Sequence, residues 1–178
     1  MRCNRLSRLV GACAATRSDL LSSAPSIRAH CVSPMPRSKT TLPDVNVWVA
    51  LASDRHVHHG LARDWFTAGR EASAAFCRVT QMGFLRLLTN PRVMGDDVLN
   101  QRQAWEIYEQ LARDPRVVFA VEPPDIEPVW KKLTQSAFAA TGLWTDAYIA
   151  ALALLHNFQV VSFDRGFRKI AGLDSTIL

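Results

Sequence analysis

No part of this sequence stays apolar for long. The longest uninterrupted apolar run is Ala147 to Leu155, nine residues. A membrane-spanning helix needs about twice that, so no transmembrane segment and no membrane partner is expected. Cysteine is scarce: Cys3, Cys13, Cys31 and Cys77, with no CxxC pair. That pattern is neither a zinc site nor a disulfide framework. It fits a reducing, cytoplasmic setting. A Gly-rich phosphate loop followed by Lys is missing as well, which removes the P-loop nucleotide-binding class. The folded part of the chain also lacks excess positive charge. The formal net charge is +5, but residues 1–40 hold seven basic side chains against Asp19 alone. Residues 41–178 hold 14 basic and 15 acidic side chains. Overall charge therefore gives no support to nucleic-acid binding by the domain.

What is present divides the chain in two. Residues 1–40 mix Arg, Ser, Ala and Pro without a sustained apolar period, and are expected to be a disordered basic extension. Their Arg- and Ser-rich, acid-poor composition resembles an organellar transit peptide, and Leu9 to Ala15 resembles a very short signal-peptide core. A third reading is a start codon upstream of a working protein that begins near Met35. The abrupt onset of pattern at Thr41 favours that reading. Residues 41–178 then read as one domain of ordinary size.

From Thr41 onward, short apolar strands alternate with helices. The spacing predicts strands at Leu42–Val45, Ala74–Val79, Val117–Val121 and Gln159–Phe163. It predicts helices through Leu51, at His58–Thr67, Gln81–Leu88, Val98–Arg113, Glu127–Ala137, Asp146–His156 and Arg165–Ala171. Thr80 and Thr145 read as N-caps, and Asn90-Pro91 as a helix stop. Strands separated by helices point to an α/β fold with a parallel sheet covered on both faces.

Ligands of such sheets sit beyond the carboxyl ends of the strands. Asp44 and Asp164 close two of the predicted strands, and Asp146 opens a helix after a loop. Clustered carboxylates repel, so each resists ionising. A hard divalent cation removes that conflict. Read singly, Asp146 is a helix cap and Asp164 a turn residue. Asp44 is harder to dismiss, because a carboxylate among buried apolar residues needs a partner. His56, His58 and His59 are spaced i, i+2, i+3, which does not gather them on one helical face. They read as solvated helix-start residues. Arg86 reads equally as a phosphate contact or as an ion-pair partner. Trp65, Trp105, Trp130 and Trp144 read as core or interface.

Four segments occur in order: Asp44-Val45-Asn46-Val47-Trp48-Val49-Ala50-Leu51, the run from Thr80-Gln81-Met82-Gly83 to Asn90-Pro91, Thr145-Asp146-Ala147-Tyr148, and Ser162-Phe163-Asp164-Arg165-Gly166-Phe167. Together they resemble the successive motifs of PIN-domain toxins of the VapC type, over about residues 41–173. The resemblance implies a PIN-like α/β/α sandwich with a short central parallel sheet. It implies a toxin that cleaves RNA with Mg²⁺ or Mn²⁺ and is neutralised by a small cognate antitoxin; a homodimer is compatible with the family. It places the first, third and fourth acidic positions on Asp44, Asp146 and Asp164, the expected metal-binding and catalytic set. Gln81 stands where the second, usually glutamate, is found. A glutamine oxygen can ligate or orient a water but carries no charge, which weakens a second metal site. Asn46, two residues after Asp44, faces the same way if the backbone is extended. Thr145 and Ser162 read as supporting groups.

Two rivals stand beside this reading. Receiver-like and dehalogenase-like phosphoacceptor folds also place an Asp after the first strand. A dehalogenase-like fold wants a second Asp where Asn46 stands, and a receiver wants a lysine after a late strand, which Ser162-Phe163-Asp164 does not supply. A catalytically impaired PIN-like module that binds RNA or a partner is the alternative that Gln81 keeps open.

Overall fold

Five short parallel strands run through the middle of the chain's computed structural model, which describes residues 40–69, 72–135 and 142–178. They are β1 (Thr41–Pro43), β2 (Ala74–Phe76), β3 (Val117–Phe119), β4 (Gln159–Ser162) and β5 (Ser175–Ile177). Their order across the sheet is β3-β2-β1-β4-β5. The helices are α1 (Val45–Ala52), α2 (His59–Ala68), α3 (Arg78–Leu88), α4 (Pro91–Met94), α5 (Gln101–Ala112), α6 (Ile126–Thr134) and α7 (Leu143–His156). The sheet side chains alternate between two cores, as a pleated strand requires. Ala74, Phe76 and Val161 face a core built with α1, α2, α3 and α5. Leu42, Ala75 and Val160 face a second core built with α6 and α7. The architecture is the three-layer α/β/α sandwich expected.

The first core is organised by aromatic rings. Trp48 stacks on Phe76 with centroids 3.7 Å apart, and the edges of Phe84 and Tyr108 close round Phe76. The second rests on α7, where Ala147 to Ala153 are all buried. Small residues there let the helix lie close to the sheet.

Several element boundaries differ from the sequence reading, mostly because caps act over longer reach than one residue. Strand β1 ends at Pro43, since Asp44 caps α1 by accepting from the Val45 N–H. Helix α3 begins at Arg78, so Thr80 lies inside its first turn. Its hydroxyl reaches back to accept from the Cys77 N–H at 2.9 Å. Asn90-Pro91 starts α4 as well as ending α3. The Asn90 side chain accepts from the Arg92 N–H, and Pro91 fills the position that has no N–H to satisfy. Helix α5 starts at Gln101 behind a reciprocal Asn100–Gln103 capping box, not at Val98. Helix α7 starts at Leu143, so Thr145 is no cap. The final helix is a 3-10 turn, Arg165–Lys169. Edge strand β5 was not expected at all. The extension expected to be disordered falls, but for residue 40, outside the described residues, as does the end of the helix predicted to reach Ala137. Among the described residues no helix is long and apolar enough to cross a membrane.

Candidate active site

The chain changes direction in the sheet between β1 and β4. From β1 the sheet grows through β2 to β3 on one side and through β4 to β5 on the other. The loops leaving the carboxyl ends of β1 and β4 part there, which opens the crevice where α/β sheets bind ligands. Asp44 follows β1 and Asp164 follows β4. Asp44 is pinned: its N–H donates to the Val161 carbonyl at 2.8 Å, and its Oδ1 accepts from the Val45 N–H at 2.6 Å. Its Oδ2 accepts from the Ser162 hydroxyl at 3.1 Å. The same hydroxyl accepts from the Asp164 N–H at 2.9 Å. Asp164 in turn accepts from the Gly166 N–H at 2.7 Å. Asp146 reaches the group from the first turn of α7.

Electrostatics ties the three carboxylates together. Burial raises the Asp44 pKa, and the charge of Asp164 raises it further, against hydrogen bonds from Val45 and Ser162. Asp146 is pushed up to about 6 by desolvation, then by Asp44, then by Asp164. None of the three has an ion-pair partner among the described residues. Asp44 and Asp146 are both raised, and no cation among the described residues answers them; carboxylate oxygens are the hard donors that a divalent ion takes. Among the described residues no three His, Cys, Asp or Glu side chains close tightly enough to hold a metal unaided.

Other residues singled out in the sequence fall in different places. Asn46 is exposed on α1, where residues two apart do not share a face, so it does not point with Asp44. Thr145 is exposed. Gln81 is buried, and its Oε1 accepts from Arg78 Nη1 at 2.5 Å. Its side chain also hydrogen-bonds the Tyr108 hydroxyl. The histidines are half-buried rather than solvated. His58 stacks on Phe163 with centroids 4.4 Å apart, and His59 Nδ1 lies 2.8 Å from the Ala50 carbonyl. Burial lowers the His56 pKa, and the neighbouring histidines lower it further. Arg86 is exposed and forms no ion pair among the described residues. Trp65 and Trp130 pack against the two cores, while Trp105 and Trp144 are largely exposed. Sequence reasoning missed Arg78 and Tyr108 as neighbours of Gln81. It also missed the hydrogen bond from the Tyr148 hydroxyl to Glu122 Oε2 at 2.5 Å. Arg78 stands three residues before Gln81, the one signal available, since such pairs meet on a helix.

Acids that feel one another's charge beside the switch point of a short five-stranded parallel sheet are the layout expected of a PIN-type nuclease. The PIN domain family matches residues 41–173. Ribonuclease VapC41 of Mycobacterium tuberculosis is 39% identical over 142 residues, which is 77% of this chain and 97% of the relative. Ribonuclease VapC38 of the same species is 34% identical over 138 residues, 73% and 89% of the two chains. The chain belongs to the PIN-domain family, among its VapC-like ribonucleases. In solved structures the fold resembles VapBC2 from Rickettsia felis bound to a DNA fragment from its promoter, with TM-score 0.56 and 10% identity. That likeness covers 78% of this chain and 98% of the other. It also resembles VapC20 of M. tuberculosis, a sarcin-ricin loop cleaving toxin, with TM-score 0.55 and 19% identity over 75% of this chain and 95% of the other.

Proposed function

We propose that this protein is the toxin of a toxin–antitoxin pair and cleaves RNA phosphodiester bonds at the crevice of Asp44, Asp146 and Asp164, with Mg²⁺ or Mn²⁺ as cofactor. The observation that carries the site assignment is that Asp44 and Asp164 follow the two strands at the β1–β4 switch point and are joined through Ser162, while the charge of both acts on Asp146. When bound, the cation supplies charge neutralisation and a water acidic enough to act as nucleophile. Asp44 and Asp146 would hold it, and Asp164 would complete the set or orient the attacking water. Ser162 fixes the direction of the Asp44 carboxylate and the backbone of Asp164 together. Gln81 supplies no charge and keeps its oxygen on Arg78, so the carboxylate count at the centre is three. Mg²⁺ is often held by one or two carboxylates with waters and substrate phosphate, so three are sufficient for one ion.

A small antitoxin partner, a homodimer and a cytoplasmic location complete the proposal, supported by the VapC-like membership. The deciding test replaces Asp44 with Asn and measures RNA cleavage in Mg²⁺ and in Mn²⁺, beside the melting curve. Cleavage is expected to vanish while the fold survives. If Asp44→Asn cuts RNA as fast as the parent, the assignment of the site fails; a parent that cuts no RNA in either metal leaves in its place the non-cutting, RNA- or partner-binding reading that Gln81 permits.

A further inference from the structure

Several arginines of the domain answer a carboxylate: Arg55, Arg63, Arg102 and Arg116 each lie within 4.0 Å of one. Others, such as Arg86 and Arg92, have no carboxylate and no side-chain partner among the described residues. Arg78 differs from both groups. It is exposed, it has no acidic partner among the described residues, and yet it is held on two sides. Its Nη1 donates to the buried Gln81 oxygen. Its guanidinium carbon lies 4.9 Å from the centroid of the Phe119 ring. Both partners are neutral, so the charge of Arg78 stays uncompensated while its orientation is restricted. A guanidinium ordered in advance loses less freedom on binding an anion.

Phe119 is the second half of the pair. It ends β3, the outermost strand on this side of the sheet, and is 40% exposed. Its register partner Phe76, on β2, is buried. Packing accounts for Phe76 and leaves the exposed Phe119 ring unexplained. Phe119 ends β3 and Arg78 opens α3 just past the carboxyl end of β2, so both lie at the same end of the sheet as Asp44 and Asp164. Two strand spacings separate β3 from β1, about 10 Å. A single-stranded RNA whose scissile phosphate lies at the carboxylates can extend a neighbouring nucleotide that far. The domain carries more acidic than basic residues, so a polyanion needs such local positive positions.

Resting on the ribonuclease reading, we infer that Arg78 and Phe119 form a nucleotide subsite beside the catalytic crevice. A base of single-stranded RNA lies against the guanidinium–phenyl stack, and the phosphate next to it takes the guanidinium N–H groups not used by Gln81. Arg planes and aromatic rings are the surfaces on which unpaired bases stack. Gln81 is then the positioning residue for Arg78.

The test uses the full chain with Asp44→Asn to prevent cleavage, and a short labelled single-stranded RNA of mixed sequence as the probe. Anisotropy is measured across a salt series. Arg78→Gln is expected to weaken binding about fivefold or more and to reduce the slope of log affinity against log salt by about 0.7, the share of one phosphate on a single strand. Phe119→Ala is expected to weaken binding about fivefold to a hundredfold, the range for a lost stacking partner, with the slope unchanged. Phe119→Leu keeps the apolar volume and removes the flat ring; it should show the same loss if the alanine variant folds poorly. In the cleaving chain the same substitutions should raise KM with little change in kcat. Unchanged affinity and slope in the Arg78 and Phe119 variants, while the parent binds, overturn the subsite and leave the nuclease reading standing. A parent that neither binds the probe nor, with Asp44 restored, cleaves RNA overturns both.

Discussion

The Ser162 hydroxyl is fully buried and acts in two directions, donating to Asp44 and accepting from the Asp164 N–H. Removing it leaves a buried carboxylate oxygen short of a donor and an N–H short of an acceptor. Ser162→Ala should cost about 1–3 kcal/mol in denaturant unfolding. Because the hydroxyl lowers the Asp44 pKa, its loss should also move the acid limb of the pH–cleavage profile upward. An unmoved limb would show that Ser162 does not tune Asp44. Asp146 makes the complementary case. Its pKa stands at about 6 against an ordinary 3.8. Between those values the folded state binds more protons than the unfolded, so stability falls as pH rises through that window. Above it, the folded protein carries a charge that its surroundings oppose. In metal-free buffer near neutral pH, Asp146→Asn should therefore melt higher than the parent. The gain should fade as pH falls toward 3.8. Adding Mg²⁺ should raise the parent's melting temperature through binding to the folded state and leave the variant largely unmoved. A variant that melts lower than the parent at neutral pH would contradict the electrostatic account of the site.

At the scale of elements, the approach of α3 to α1 bears on Asp44 through its neighbour Val45. The two helices meet at Gly83, where an added Cβ would lie 2.8 Å from Val45 Cγ2 and 3.2 Å from Cγ1. Val45 has little freedom to yield, being β-branched, buried and next to the cap of α1. Gly83→Ala should lose about 1–3 kcal/mol of stability from overpacking. Because the shift is passed to Asp44, cleavage should drop further than the unfolded fraction explains. Much of this arrangement is legible in sequence. Leu42-Pro43-Asp44 and Val160-Val161-Ser162-Phe163-Asp164 announce themselves as apolar runs ended by an acid, and α/β topology brings such ends together. The alternation of segments was enough for the sheet and its two coats of helices. Strand β5 was not legible, because Ser175–Ile177 is short, half-buried and part polar. The starts of α3 and α7 were misread because Thr80 and Thr145 look like caps, and only the folded backbone shows one hydrogen-bonding backward and the other exposed. The commitment of Gln81 to Arg78 and Tyr108 depends on rotamers and on a helix far along the chain, which periodicity does not encode.

For the whole molecule, the basic charge and the family match fall on different parts of the chain. The family match starts at residue 41, and the positive excess lies before it. A chain begun at Met35 should keep the melting transition and the RNA cleavage rate of the full chain. Loss of cooperative unfolding would show that residues 1–34 contribute to the domain. The sheet order has a consequence for the moment of synthesis. Asp44 is fixed by a strand that emerges from the ribosome more than a hundred residues later: the Val161 carbonyl holds its N–H and the Ser162 hydroxyl holds its carboxylate, 118 residues away. Until β4 has been made and has slid in beside β1, the first acid has no fixed direction and the last does not exist. The order of synthesis is thus also an order of assembly for the crevice, whose first acid waits on a late strand of the sheet.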